Sequence, residues 1–132
     1  VRAPQEPVDR KLEQFYQRLL AGLRQAALRN GEWQLLECVP AWEGNWTWDC
    51  FIAFAWQGPA EERLLVVVNY AANQSQCHIP LRFANLDNRQ WRLEDLLSDA
   101  RYDRDGNLLR TRGLFVDMAP WSYHLFRLQK LS

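Results

Sequence analysis

The sequence predicts a mainly β chain: an antiparallel, Greek-key-like β-sandwich of about seven or eight strands, preceded by one amphipathic α-helix. Three observations carry this. Up to Gly31, apolar residues recur at helical spacing. Beyond Gly31 the period changes to two, in short runs broken by Gly, Pro, Asn and Asp. Residues 114–128 then alternate on both sides of an Ala119-Pro120 corner, which reads as two antiparallel strands joined by a tight turn. The organisation that follows is a lead-in and helix over residues 1–31 and a β-sandwich over residues 32–132.

Residues 1–8 contain two prolines and read as an extended lead-in. Asp9 is a suitable N-cap, because its carboxylate can accept from the first free backbone N–H groups. Leu12, Phe15, Tyr16, Leu19, Leu20, Leu23 and Ala27 form one apolar stripe, opposite Lys11, Gln14, Arg18 and Gln25. Asn30-Gly31 ends the helix, since both residues tolerate the left-handed backbone of a C-cap. Strands are then predicted at residues 33–39, ended by Pro40, and at 46–57, closed by Gly58-Pro59. Further strands are expected at 64–70, 75–81, 91–93 (running into a turn at Glu94-Asp95), 108–110, 114–118 and 122–128. If the run 46–57 is unbroken, Trp46, Trp48, Cys50, Ile52, Phe54 and Trp56 share one face, which reads as core. The helical stripe needs a cover, and the sequence leaves open whether the sandwich or a larger body supplies it.

Composition narrows the function classes. The chain has 132 residues, enough for one domain with its own core, and is 48% hydrophobic, which argues against disorder. With 16 basic and 16 acidic side chains its formal net charge is +0, and no basic run marks a nucleic-acid surface. No apolar run approaches the ~20 residues of a membrane span. Cys38, Cys50 and Cys77 lack metal-ligand spacing, so zinc is not expected; their odd number fits a reducing compartment and buried packing roles, and favours a cytoplasmic location. The chain begins at Val1 without a methionine, so a start further upstream is expected and the lack of a secretion signal says little.

Few residues are placed for chemistry. Asp103-Arg104-Asp105-Gly106-Asn107 has some spacing of a calcium loop but carries Arg101, Thr111 and Arg112 where ligands belong, so it reads as a hairpin turn. His78 and His124 read as ordinary strand residues. Glycosidases need two convergent carboxylates. Glu61-Glu62 falls in a loop and Glu94-Asp95 in a turn, and neither setting aims a pair across a cleft. No catalytic residue, metal site or cofactor is therefore assigned. The seven tryptophans are the remaining signal. A flat indole can cover the apolar face of a sugar ring, and Trp42, Trp46 and Trp48 cluster in one Gly- and Asn-containing segment, although the alternation reads two of them as core.

Several blocks together resemble the C-terminal region of the alpha-amylase superfamily of glycoside hydrolases. Residues 15–24 (Phe-Tyr-Gln-Arg-Leu-Leu-Ala-Gly-Leu-Arg) resemble the last helix of that family's catalytic barrel. Gly31-Glu32-Trp33 is similar to the turn leading into its β-domain. Phe51-Ile52-Ala53-Phe54 and Leu64-Leu65-Val66-Val67-Val68-Asn69-Tyr70 resemble two of its strands. Leu93-Glu94-Asp95-Leu96-Leu97 and residues 120–126 (Pro-Trp-Ser-Tyr-His-Leu-Phe) resemble its final turns and strand. The resemblance runs from about Asp9 to Leu128. It implies a non-catalytic accessory β-sandwich that supports a catalytic barrel of the same parent chain, itself a hydrolase or a glucan-transferring enzyme. It implies that Leu12, Phe15, Tyr16, Leu19, Leu20 and Leu23 dock on that barrel, and that without it the helix either self-associates or is frayed and mobile. The family's catalytic aspartate, glutamate and histidine-aspartate motifs have no counterpart here, so no activity is expected of this chain alone. Residues 42–49 are longer and richer in tryptophan than the family pattern. The alternatives are a glycan-binding module, with weak α-glucan contact through Trp42, Trp46 and Trp48, and a protein-interaction sandwich unrelated to sugar.

Overall fold

The computed structural model describes Arg10, Gln14, Gln17 and residues 32–131. Arg10, Gln14 and Gln17 are helical and exposed. The stripe Leu12, Phe15, Tyr16, Leu19, Leu20 and Leu23 lies outside the described residues. From there on the chain is mainly β. Its strands are β1 (Glu32–Leu36), β2 (Val39–Pro40), β3 (Phe51–Gln57), β4 (Arg63–Asn69), β5 (Ser75–Ile79), β6 (Gln90–Asp95), β7 (Arg101–Asp105), β8 (Leu114–Met118) and β9 (Tyr123–Lys130). One short helix, α1 (Gly106–Thr111), and single 3-10 turns at Thr47–Cys50 and Pro59–Glu61 interrupt them.

The strands form two sheets, six-stranded in the order β1-β3-β4-β9-β6-β7 and three-stranded in the order β2-β5-β8, with every pairing antiparallel. One core lies between them. It gathers Ala53, Ala55, Leu65, Val67, Trp91, Leu93, Phe126 and Leu128 from the large sheet and Cys77, Ile79, Leu114, Val116 and Met118 from the small one. Each large apolar side chain buried there contributes about 1.5–3 kcal/mol. Alternation sends Val66, Val68 and Leu125 to the other side of the large sheet, where Phe54, Leu64 and Trp121 pack with them. Val66 and Val68 have no exposed surface, so β4 is buried on both faces.

Several expectations need correction. Residues 33–39 are not one strand: the chain leaves the large sheet after Leu36 and joins the small sheet at Val39, so Pro40, expected to end a strand, pairs with Cys77. Residues 46–57 are not one strand either. The 3-10 turn at Thr47–Cys50 precedes β3, whose core-facing residues are Phe51, Ala53 and Ala55 rather than Ile52, Phe54 and Trp56. The final blocks do not form a hairpin. β8 pairs with β5 and β9 with β4 and β6, so the Ala119-Pro120 corner carries the chain from one sheet to the other. Residues 108–110 are helical, because Asp105 caps α1 by accepting from the Leu108 backbone N–H (3.2 Å). Asp105-Gly106 is thus a helix start and not a hairpin turn. Gly106 is required sterically, since a Cβ there would lie 1.7 Å from the Leu86 carbonyl oxygen. β6 also runs through Glu94 and Asp95 before the chain turns.

Asp95 fastens that turn. Its Oδ1 accepts from the backbone N–H of Leu97 (3.0 Å) and Leu125 (3.1 Å). Its Oδ2 accepts from Ser98 Oγ (2.7 Å) and lies 2.7 Å from His124 Nδ1. The carboxylate is buried, which raises its pKa, but these hydrogen bonds outweigh burial and hold it below the usual carboxylate range. A depressed folded pKa contributes stability above the unfolded value, and that contribution disappears as pH falls through the folded one. Asp95→Ala is therefore expected to cost about 2–4 kcal/mol in urea unfolding at pH 7, since it strands buried donors. The cost should shrink as unfolding is repeated at pH values below 4. A difference between wild type and variant that is constant with pH would show that ionised Asp95 is not what holds the turn.

Candidate functional site

Residues 41–50 connect β2 to β3 and carry Trp42, Trp46 and Trp48. All three are exposed, at 55%, 64% and 37% respectively. Trp46 and Trp48 were expected on a core face. They are outside because the 3-10 turn breaks the period of two, and it is Thr47 that turns inward and is buried.

The segment is not a loose loop. Gly44 supplies a left-handed residue (φ +86°), and the Asn45 N–H donates to the Trp42 carbonyl (3.1 Å). Asn45 Oδ1 accepts from Thr47 N–H (2.7 Å) and Thr47 Oγ (2.6 Å), a side-chain turn of the kind Asn favours. The same Thr47 hydroxyl accepts from the Gln76 backbone N–H (2.9 Å), and Asn45 Nδ2 donates to Gln76 Oε1 (3.0 Å). Asn45 and Thr47 thus pin the tryptophan segment to β5. The Gln74 and Gln76 amides both donate to Asp117 Oδ1 on β8 (2.8 and 2.9 Å), and these bonds hold Asp117 below the usual carboxylate range. The surface therefore combines three exposed indoles with an adjoining row of amide and carboxylate groups.

The other residues singled out from sequence are used elsewhere. His78 is buried on β5, packs against Phe115, and accepts from Arg112 Nε (3.2 Å). Burial, then the neighbouring Arg112 charge, lowers its pKa. His124 holds Asp95. Glu94 pairs with Arg127 (3.0 Å), whereas Asp95 points into the turn, so this acidic pair does not converge. Glu61 lies 3.6 Å from Arg63. A cleft at the end of β9 is lined by Glu61, Arg63, Arg89, Trp91, Gln129 and Lys130, and thus presents one carboxylate rather than two. Among the described residues no three His, Cys, Asp or Glu side chains gather as a metal ion requires, and no described helix is long and apolar enough to cross a membrane.

Comparison with family models and with curated proteins gives no match. Asn45, Thr47, Gln74, Gln76 and Asp117 did not stand out in the sequence. The signal that was available is Asn45-x-Thr47, a pattern that competes with strand hydrogen bonding and starts turns.

Because Trp42 and Trp46 add little to the core, Trp42→Ala and Trp46→Ala should change stability by no more than about 0.5 kcal/mol. Trp91, buried with its Nε1 donating to the Leu86 carbonyl (2.9 Å), should cost about 3–5 kcal/mol on replacement by Ala. Urea unfolding of the three variants measures this. Comparable losses in all three would mean that the tryptophan segment belongs to the core.

Proposed function

We propose that this chain is a non-catalytic accessory β-sandwich domain of a larger glycoside hydrolase of the alpha-amylase kind, and that it contacts α-glucan through Trp42, Trp46 and Trp48. Greek-key connectivity is part of the same proposal. The observation that carries the contact surface is the exposure of Trp42 and Trp46 on a segment tied down by Asn45 and Thr47. Indoles in water on a fixed segment lose little further freedom when a ligand binds, which lowers the entropic cost of association. Gln74, Gln76 and Asp117 supply the neighbouring donors and acceptors that sugar hydroxyls need. The link to the enzyme family rests on the sequence blocks that resemble its β-domain.

A supporting role toward a catalytic barrel is favoured by a second surface. Trp33 and Leu35 on β1 share the outer side of the large sheet with Phe54, and Leu35 is 76% exposed. An exposed apolar strip of this kind suits a neighbouring body. The two roles occupy different places and are compatible.

Titration with maltoheptaose, followed by tryptophan fluorescence, should give a saturable change with a Kd on the order of 1 mM, a binding free energy near −4 kcal/mol. The change should be lost in Trp42→Ala and Trp46→Ala. No saturable change, or a change kept in both variants, would remove the glucan surface and leave the supporting role alone.

A further inference from the structure

Two of the three cysteines meet in the core. Cys38 lies in the short link, residues 37–38, by which the chain passes from the large sheet to the small one. Cys77 is central in β5, opposite Pro40 on one side and Val116 on the other. Opposite residues of an antiparallel pair project to the same face, so Pro40 and Cys77 share one, and Cys38 approaches Cys77 from two residues before Pro40. Cys38 and Cys77 thus stand as neighbours in one core, close enough for each thiol to shift the pKa of the other, and both are free and buried. Neither contributes to the tryptophan surface.

We propose that Cys38 and Cys77 form a reversible oxidation site, which a hydroperoxide converts to a disulfide stapling the sheet-to-sheet link to β5. The Cys38 sulfur attacks one peroxide oxygen as a thiolate. The O–O bond breaks, the second oxygen leaves as water after taking up a proton, and Cys38 becomes a sulfenic acid. The Cys77 sulfur then attacks the Cys38 sulfur. The S–O bond breaks, and a second water leaves with the Cys77 proton. Two thiols and one hydrogen peroxide give one disulfide and two waters, with two electrons passing from sulfur to oxygen.

The roles follow from the surroundings. The neighbouring Cys77 lowers the Cys38 pKa against the opposing effect of burial, and the neighbouring Cys38, with burial, pushes Cys77 up. Cys38 is also the more accessible of the two, at 8% exposure against 0%, and residues 37–38 belong to neither strand ladder. Opening there exposes sulfur without unpairing β5. The bond would close a loop holding β2, the tryptophan segment, β3 and β4. It would anchor that loop beside Gln76, the residue that binds Asn45 and Thr47.

The test uses Cys50→Ser, which removes the third thiol and leaves the pair untouched. The folded protein is treated with hydrogen peroxide, unfolded in the presence of an alkylating reagent, and mapped by mass spectrometry without reductant. Expected are the loss of two hydrogens in mass, no alkylation, one joined pair of peptides containing Cys38 and Cys77, and recovery of both thiols on reduction. The oxidised monomer should also unfold at higher urea than the reduced one. The proposal is overturned if both thiols remain alkylatable, or if the bond joins two chains. It is equally overturned if the bond forms only in urea, or if the oxidised monomer unfolds at lower urea.

Discussion

The two sheets are held in register at one buried amide. Asn69 ends β4, the strand buried on both faces, and its Nδ2 lies 2.9 Å from the Asn73 carbonyl, 3.1 Å from that of Met118 and 3.0 Å from that of Ala119. Its backbone N–H donates to the Ser122 carbonyl (2.9 Å). Those acceptors flank both the turn into β5 and the corner between β8 and β9, so one side chain fixes the exit from the large sheet and the return to it. Only an amide nitrogen suits a position ringed by carbonyls; aspartate of the same shape would set charge against them. Trp121 completes the corner with a left-handed backbone (φ 57°), a conformation that non-glycine residues adopt only when their surroundings impose it.

This arrangement explains why the remaining polar groups matter in proportion to their depth. Asp95 gathers donors at the β6–β7 turn as Asn69 gathers acceptors at the corner, each from two segments distant in sequence. Arg63 is buried with its guanidinium over Trp91 and bonded to the Glu61 and Ala84 carbonyls. By contrast, Arg92–Asp103 and Arg110–Asp87 lie in partly or well exposed positions, where water screens such pairs and they add little.

The sequence made strands legible where an apolar or alternating run is bounded by clear turn residues. β4, β5, β8 and β9 fall within a residue or two of their expected bounds. It misled at residues 46–50, where tryptophans two apart continued the strand period across a 3-10 turn. α1 was hidden because six residues are too few to establish a helical period, and Asp105-Gly106 serves a helix cap as readily as a hairpin. The β8–β9 corner was read as a hairpin because adjacency in sequence does not reveal a change of sheet. The surface tryptophans were legible as residues, and Trp42 already fell outside the core pattern, but the exposure of Trp46 and Trp48 was not legible, since it depends on Thr47 reaching Gln76. The Asp95–His124 and Cys38–Cys77 contacts join residues far apart in the chain, and no local pattern announces them.

The large sheet ends in two unlike strands. β7 presents Arg101, Asp103, Arg104 and Asp105 along its length, and an edge so charged rejects the approach of another strand. β1, the other end, alternates Trp33 and Leu35 with Glu32 and Gln34 and shows its apolar side. Among the described residues, β1 is therefore the edge of this sheet more open to growth, whether by a neighbouring domain or by an errant copy in a concentrated solution. Fusions and truncations placed beside β1 act on the more open margin of the sheet, and those beside β7 on the guarded one.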